Sequence, residues 1–350
     1  MNKLLYTFLT LLMLCVVVKD VEAGNPDRQG EAGALQLLLN PWARSAGFHA
    51  MNTSFCTGVE AMRLNVAGLA RINKTELLVA NTRYLEGTDI FFNSGGVAQK
   101  VGKNGTFGLS LMSINVGDIM VTTTDQPEGT GATYSPRLFN MGISYAHMFE
   151  NKISVGVTFR TVSEATTDVT AFGFAIDAGV QYVTGPQDNF RFGISLRNIG
   201  SPMTFKGQGL SESRPAPDAN YPVTYFQRAQ KFELPSVLNI GLSYDFIVNT
   251  KNRVTVGANF TSNSFSRDNI GAMVEYSFND LFMLRAGYKY EMGDLGVDDL
   301  EAPVHTGIAA GLSLNVPLKK GSENRFGIDY AYLVTQPFGG THNIGVRITL

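Results

Sequence analysis

Residues 138 to 149, LFNMGISYAHMF, set Phe139, Met141, Ile143, Tyr145 and Phe149 at alternate positions, with Asn140, Gly142, Ser144 and Ala146 between them. A repeat of two places successive side chains on opposite faces of a β-strand, one dry and one wet. From residue 74 onward the pattern recurs in segments of about ten residues bounded by turn formers. Fourteen strands are expected: 74–85, 89–100, 105–116, 138–149, 153–162, 171–182, 190–198, 236–248, 253–261, 269–278, 281–291, 304–316, 324–334 and 341–350. The first three alternate poorly, and LSLMSINV changes phase near Met112, where a β-bulge is expected.

The connections sort by length. Those at 150–152, 184–189, 249–252, 279–280 and 317–324 are compact, whereas 117–137, 163–170, 199–235, 262–268, 292–303 and 335–340 are mostly longer. Short turns at one end and long loops at the other are the pattern of a transmembrane β-barrel. An even strand count returns the C-terminus to the short-turn side, where both termini are expected. Strands of about ten residues also match a tilted bilayer crossing better than the five or six usual in a sandwich.

Charge follows the same parity. Arg160, Asp177, Arg191, Arg197, Asp245, Arg253, Glu275, Arg285, Lys289, Arg325, Asp329 and Arg347 fall on the face opposite the apolar one, which a barrel turns inward. Phe149, Phe159, Tyr182, Phe190, Phe246, Phe278, Phe282 and Tyr290 are placed to form interfacial girdles. The fold class expected is therefore all-β, a 14-stranded antiparallel transmembrane barrel spanning 74–350, in the outer membrane and in contact with its lipid.

The chain's start agrees. Lys3 precedes the apolar run LLYTFLTLLMLCVVV, and Val21, Glu22 and Ala23 end at a peptidase-type site, so 1–23 reads as a signal peptide. Without it the 28 basic and 30 acidic residues become 26 and 28, leaving the net charge at -2. No basic face invites nucleic acid. Cys56 is then the one remaining cysteine, so no internal disulfide is expected.

Fourteen strands enclose more space than their own side chains fill. Residues 24–73 do not alternate and are rich in small and apolar residues, so they are expected as a plug inside the barrel with Trp42 as an anchor; a periplasmic tail is the rival placement. Here a resemblance becomes specific. LLLNPWARSAGFHAM (37–51), followed by NVAGLARI (65–72), resembles the N-terminal signature of the PorV/PorQ family of type IX secretion, with Asn40, Pro41, Arg44, Gly47, Asn65, Gly68 and Leu69 as the matching positions. Val66 stands where that family usually has proline.

The resemblance implies an outer-membrane component of type IX secretion that receives or scaffolds secreted substrates. Its partners would be translocon or attachment-complex proteins and the C-terminal domains of substrates. The family is similar in turn to the fatty-acid transporters, so a transporter of small hydrophobic molecules is the alternative. Such a route needs a gap in the wall, and Gly95 and Gly96 could kink the second strand.

Catalysis finds little footing, and no enzyme activity, metal or cofactor is expected. His147 and His342 share the apolar parity, His305 faces inward without an acidic or serine partner, and His49, seven residues before Cys56, reads as part of a satisfied buried pair with it. Asp245, Glu275, Arg285 and Lys289 could line a selective pore, but salt bridges between plug and wall are the preferred reading. The loop 199–235 holds five prolines, with Phe205, Tyr221, Tyr225, Phe226 and Phe232 as candidate partner-binding aromatics. A self-packed lid is its rival.

Overall fold

A computed structural model describes residues 24–216, 221–293, 304–319, 322 and 324–350. The expected signal peptide lies outside the described residues. Fourteen strands close into one antiparallel barrel: β1 (Thr75–Tyr84), β2 (Ile90–Val101), β3 (Gly105–Asn115), β4 (Arg137–Phe149), β5 (Ile153–Thr166), β6 (Val169–Thr184), β7 (Phe190–Gly200), β8 (Val237–Ile247), β9 (Asn252–Asn263), β10 (Asn269–Phe278), β11 (Phe282–Glu291), β12 (His305–Pro317), β13 (Arg325–Thr335) and β14 (Thr341–Thr349). Each strand pairs with its sequence neighbours, and β1 meets β14 with Glu76 opposite Thr349 and Arg83 opposite His342. Closure removes the unpaired edges that hydrocarbon cannot satisfy. Outside, Ile143, Val157, Phe174, Leu242, Val274, Leu312 and Ile344 form an apolar belt. Phe149, Tyr182, Phe190, Phe246, Phe278 and Phe282 ring it at the short-turn end; Phe139, Phe172, Tyr288 and Tyr290 ring it at the other. This is the architecture of an outer-membrane barrel, and the belt places the chain in that membrane.

Two expectations about the strands change. β3 shows no bulge at Met112: its register to β2 and β4 is continuous, and Met112 and Ile114 simply face inward onto an apolar patch with Phe92. The apparent slip arose because the inner face is apolar there. The register shifts fall elsewhere, between Ile176 and Ala178 against β7, and between His305 and Ala309 against β13, where Gly307 holds a left-handed φ of 85°. The 163–170 loop is strand on both sides, since β5 and β6 run on together until Thr166 pairs with Val169.

Residues 24–73 fill the lumen. They begin at the long-loop end, where Gly24 bridges Arg267 and Ala32 bridges Glu233, and reach the short-turn end, where Arg71 donates to the Lys152 carbonyl at 3.2 Å. The first described residue is therefore at the opposite mouth from the C-terminus, correcting the expectation of both termini on the short-turn side. Within the lumen, 3-10 turns and two single-turn helices, α1 (Ala43–Ala46) and α2 (Ala61–Leu64), follow the available space. No helix among the described residues is long and apolar enough to cross a membrane; the strands do that.

Candidate functional site

The plug is fixed by contacts that explain its sequence. The Asn40 side chain folds back on Trp42, accepting from its backbone N–H at 3.3 Å, and the Pro41 carbonyl accepts from the Thr82 hydroxyl at 3.4 Å. Trp42 and Leu69 pack with Val59, Met62 and Val66 in one buried cluster. Asn65 Nδ2 donates to the carbonyls of Thr53 and Val180, both at 3.0 Å, while Oδ1 accepts from the Ala67 N–H at 3.3 Å. That cap starts the 3-10 turn Val66–Arg71, so the turn forms with Val66 in place of proline. Glycine is needed at 47, where a Cβ would lie 2.9 Å from Arg285 side-chain carbons and 3.1 Å from Gly311 Cα, and at 68, where it would run into the Cys56 carbonyl oxygen. Arg44 Nε stands 3.9 Å from the Glu60 carboxylate.

Interior charges bind plug to wall. Glu60, 1% exposed, takes the Ser45 hydroxyl and lies 3.6 Å from Arg347, which reaches Asp329 at 3.4 Å. Arg285 contacts Glu275 at 3.2 Å, and Asp245 contacts Arg191 at 2.6 Å. Arg160 bridges Asp177 at 2.8 Å and donates to the plug carbonyl of Met62 at the same distance. Asp245, Glu275 and Arg285 are thus members of salt bridges. Lys289 is different: among the described residues it forms no ion pair, and it borders a cavity.

That cavity, about 230 Å³, lies beneath the long-loop rim between plug and wall. Leu38, Leu39, Phe92 and Leu333 give it apolar sides; His49 and His305 face it with Lys289. The two imidazole rings meet edge to face, 5.7 Å apart. His305 Nε2 is 3.4 Å from the Tyr84 hydroxyl, whereas His305 Nδ1 and His49 Nε2 have no hydrogen-bond partner among the described residues. Burial, then the positive charge of Lys289 and the neighbouring His305, holds the His49 ring well below its ordinary pKa and so neutral. His49 and Ala50 are both left-handed, with φ of 55° and 60°, a conformation non-glycine residues adopt only when their surroundings impose it.

The expected Cys56–His49 pairing is absent. The Cys56 thiol instead lies 3.9 Å from the Thr53 carbonyl and 3.8 Å from that of Asn65, and burial followed by the Glu60 charge pushes it up to about 12, far from a thiolate nucleophile. His147 packs with Phe149 on the outer face, and His342 accepts or donates between Tyr330 and Glu86. The period of two turns His305 inward, but no local pattern brings it to His49, 256 residues away. The inward parity of Lys289 and His305 near facing strand ends was the available signal.

The aromatics of 199–235 divide into two sets. Phe205 and Phe232 stack 5.5 Å apart against a core of Leu37, Val162, Met203 and Leu234, closing part of the mouth. Tyr221, Tyr225 and Phe226 are exposed on or beside the hairpin of Ser211–Pro215 with Pro222–Phe226. At the wall, β2 is fully paired with β1 and β3, so Gly95 and Gly96 open no gap. Gly96 admits the plug, where a Cβ would strike Val59, and Gly95 faces a shallow outer dent lined by Val79, Leu111, Phe139 and Ile344.

No protein-family model matches the sequence, and no curated protein matches it. Solved structures do match the fold. The toluene transporter TodX of Pseudomonas putida is 14% identical with a TM-score of 0.56, the match covering 89% of this chain and 97% of that one. The toluene transporter TbuX of Ralstonia pickettii is 15% identical at a TM-score of 0.55, with the same coverages. A TodX variant described as a monoaromatic hydrocarbon channel gives 13% and 0.55, over 88% and 97%. These neighbours are hydrophobic-molecule channels with a 14-strand barrel. They overturn the expectation of a type IX secretion component, and no match supports the PorV/PorQ assignment.

Proposed function

We propose that this chain is an outer-membrane transporter for small hydrophobic molecules. The observation that carries the reading is the cavity between plug and wall, set in a barrel whose fold follows the hydrocarbon channels over most of its length. An engineered apolar cavity of about 150 Å³ is enough to take benzene, so 230 Å³ suits a ring-sized molecule. Its place just under the rim lets a molecule enter from the long-loop side. Because the wall is fully hydrogen-bonded around β2, onward movement runs along the seam between plug and wall and needs the plug to shift. Uptake of radiolabelled small aromatics by cells with and without the protein tests this. Faster uptake in the expressing strain, lost when Leu39→Trp fills the cavity, is expected; equal uptake in the two strains overturns it.

A further inference from the structure

A pocket for hydrocarbon alone would be lined by carbon, and this one is not. Three basic side chains from three separate elements converge on it: His49 from the plug, Lys289 from β11 and His305 from β12. No carboxylate is among the described lining residues. His49 is 7% exposed, and its Nε2 and His305 Nδ1 are buried without partners among the described residues. A buried polar atom left unpaired keeps its full desolvation cost, and a neutral hydrocarbon would leave the site's polar groups in that state.

We infer that the cavity binds a small amphipathic anion, a carboxylate or similar acid on a ring-sized apolar body. The inference rests on the transporter reading and names its substrate class. The Lys289 ammonium can supply only donors, and each neutral imidazole can turn an N–H toward the ligand through its tautomer. For His305 this happens when Tyr84 donates to Nε2, leaving the proton on Nδ1. An anion would then meet a cation and two N–H donors, the charge-assisted arrangement that is stronger than neutral bonding. Leu38, Leu39, Phe92 and Leu333 would cover the body. An organic cation would face the Lys289 ammonium, and Glu291, whose charge acts on Lys289, is not among the described lining residues. The left-handed backbone at His49 and Ala50 helps aim the His49 ring at the cavity.

The test uses the full barrel purified in detergent, titrated calorimetrically with benzoate, toluene and benzylamine. Benzoate is expected to bind at least tenfold more tightly than the other two. Lys289→Met should remove most of that preference while keeping toluene binding, and Lys289→Arg should retain it. Heat-modifiable migration checks that each variant is a folded barrel. Toluene binding as tightly as benzoate, no benzoate binding, or a Lys289→Met barrel that keeps full preference each overturns the inference. Benzoate binding without uptake in cells would count against the transporter reading and leave the site standing; toluene uptake without benzoate binding would do the reverse.

Discussion

Glu60 of the plug and Arg347 of the last strand stand 3.6 Å apart, both almost wholly buried, and join the N-terminal segment to the strand that closes the barrel. Arg44 and the Ser45 hydroxyl also face that carboxylate. Removing one member of a buried pair typically costs about 3–5 kcal/mol, because the other charge loses its partner. Arg347 keeps Asp329, so the lower half of that range is expected for Glu60→Ala. The barrel ladder does not include Glu60. The variant should therefore migrate as a folded barrel yet show raised ion conductance in planar bilayers, as the plug loosens.

Gly68 offers a steric version of the same test. A methyl group there meets the backbone carbonyl of Cys56, which cannot rotate away as a flexible side chain could. Overpacking of this kind costs about 1–3 kcal/mol. Gly68→Ala should lower the plug's protection in hydrogen exchange over 53–72 while the strands of the barrel keep theirs. Unchanged exchange in the plug would count against so tight an internal fit.

The loop 199–235 should respond in two different ways. Replacing Tyr221, Tyr225 and Phe226 together with serine alters exposed side chains and should leave the melting temperature and uptake unchanged. Leu234→Ala, by contrast, empties part of the core shared with Leu37 and Met203, at about 2–4 kcal/mol. Protease added to intact cells should cut this variant's loop much faster than the wild type's.

Ile143 lies at the middle of β4 and is 52% exposed, on the membrane face. Arginine at a barrel's lipid face near the midplane costs about 2–4 kcal/mol. Ile143→Arg should lower the yield of barrel folded into vesicles by that measure, whereas the same replacement at Lys103, in an exposed short turn, should change nothing.

Strand number, the inward face and the membrane-facing belt were legible along the chain, because a barrel strand is written locally: period two, about ten residues, a turn. Even the poor alternation of β2 and β3 was informative, since it marks where the inner face meets apolar plug residues such as Leu39 instead of water. The plug's lack of alternation also announced that 24–73 was not wall. Its path was not legible. That Gly24 sits at the long-loop mouth and Arg71 at the other depends on bridges to Arg267 and Lys152, pairings between residues far apart in sequence. For the same reason spacing pairs His49 with Cys56, its near neighbour, whereas closure of the barrel brings it to His305. Sequence spacing reports only what a strand or turn does by itself. Which side chains share a cavity was decided by the circular closing of fourteen strands around a folded segment, a geometry in which residues hundreds of positions apart become adjacent.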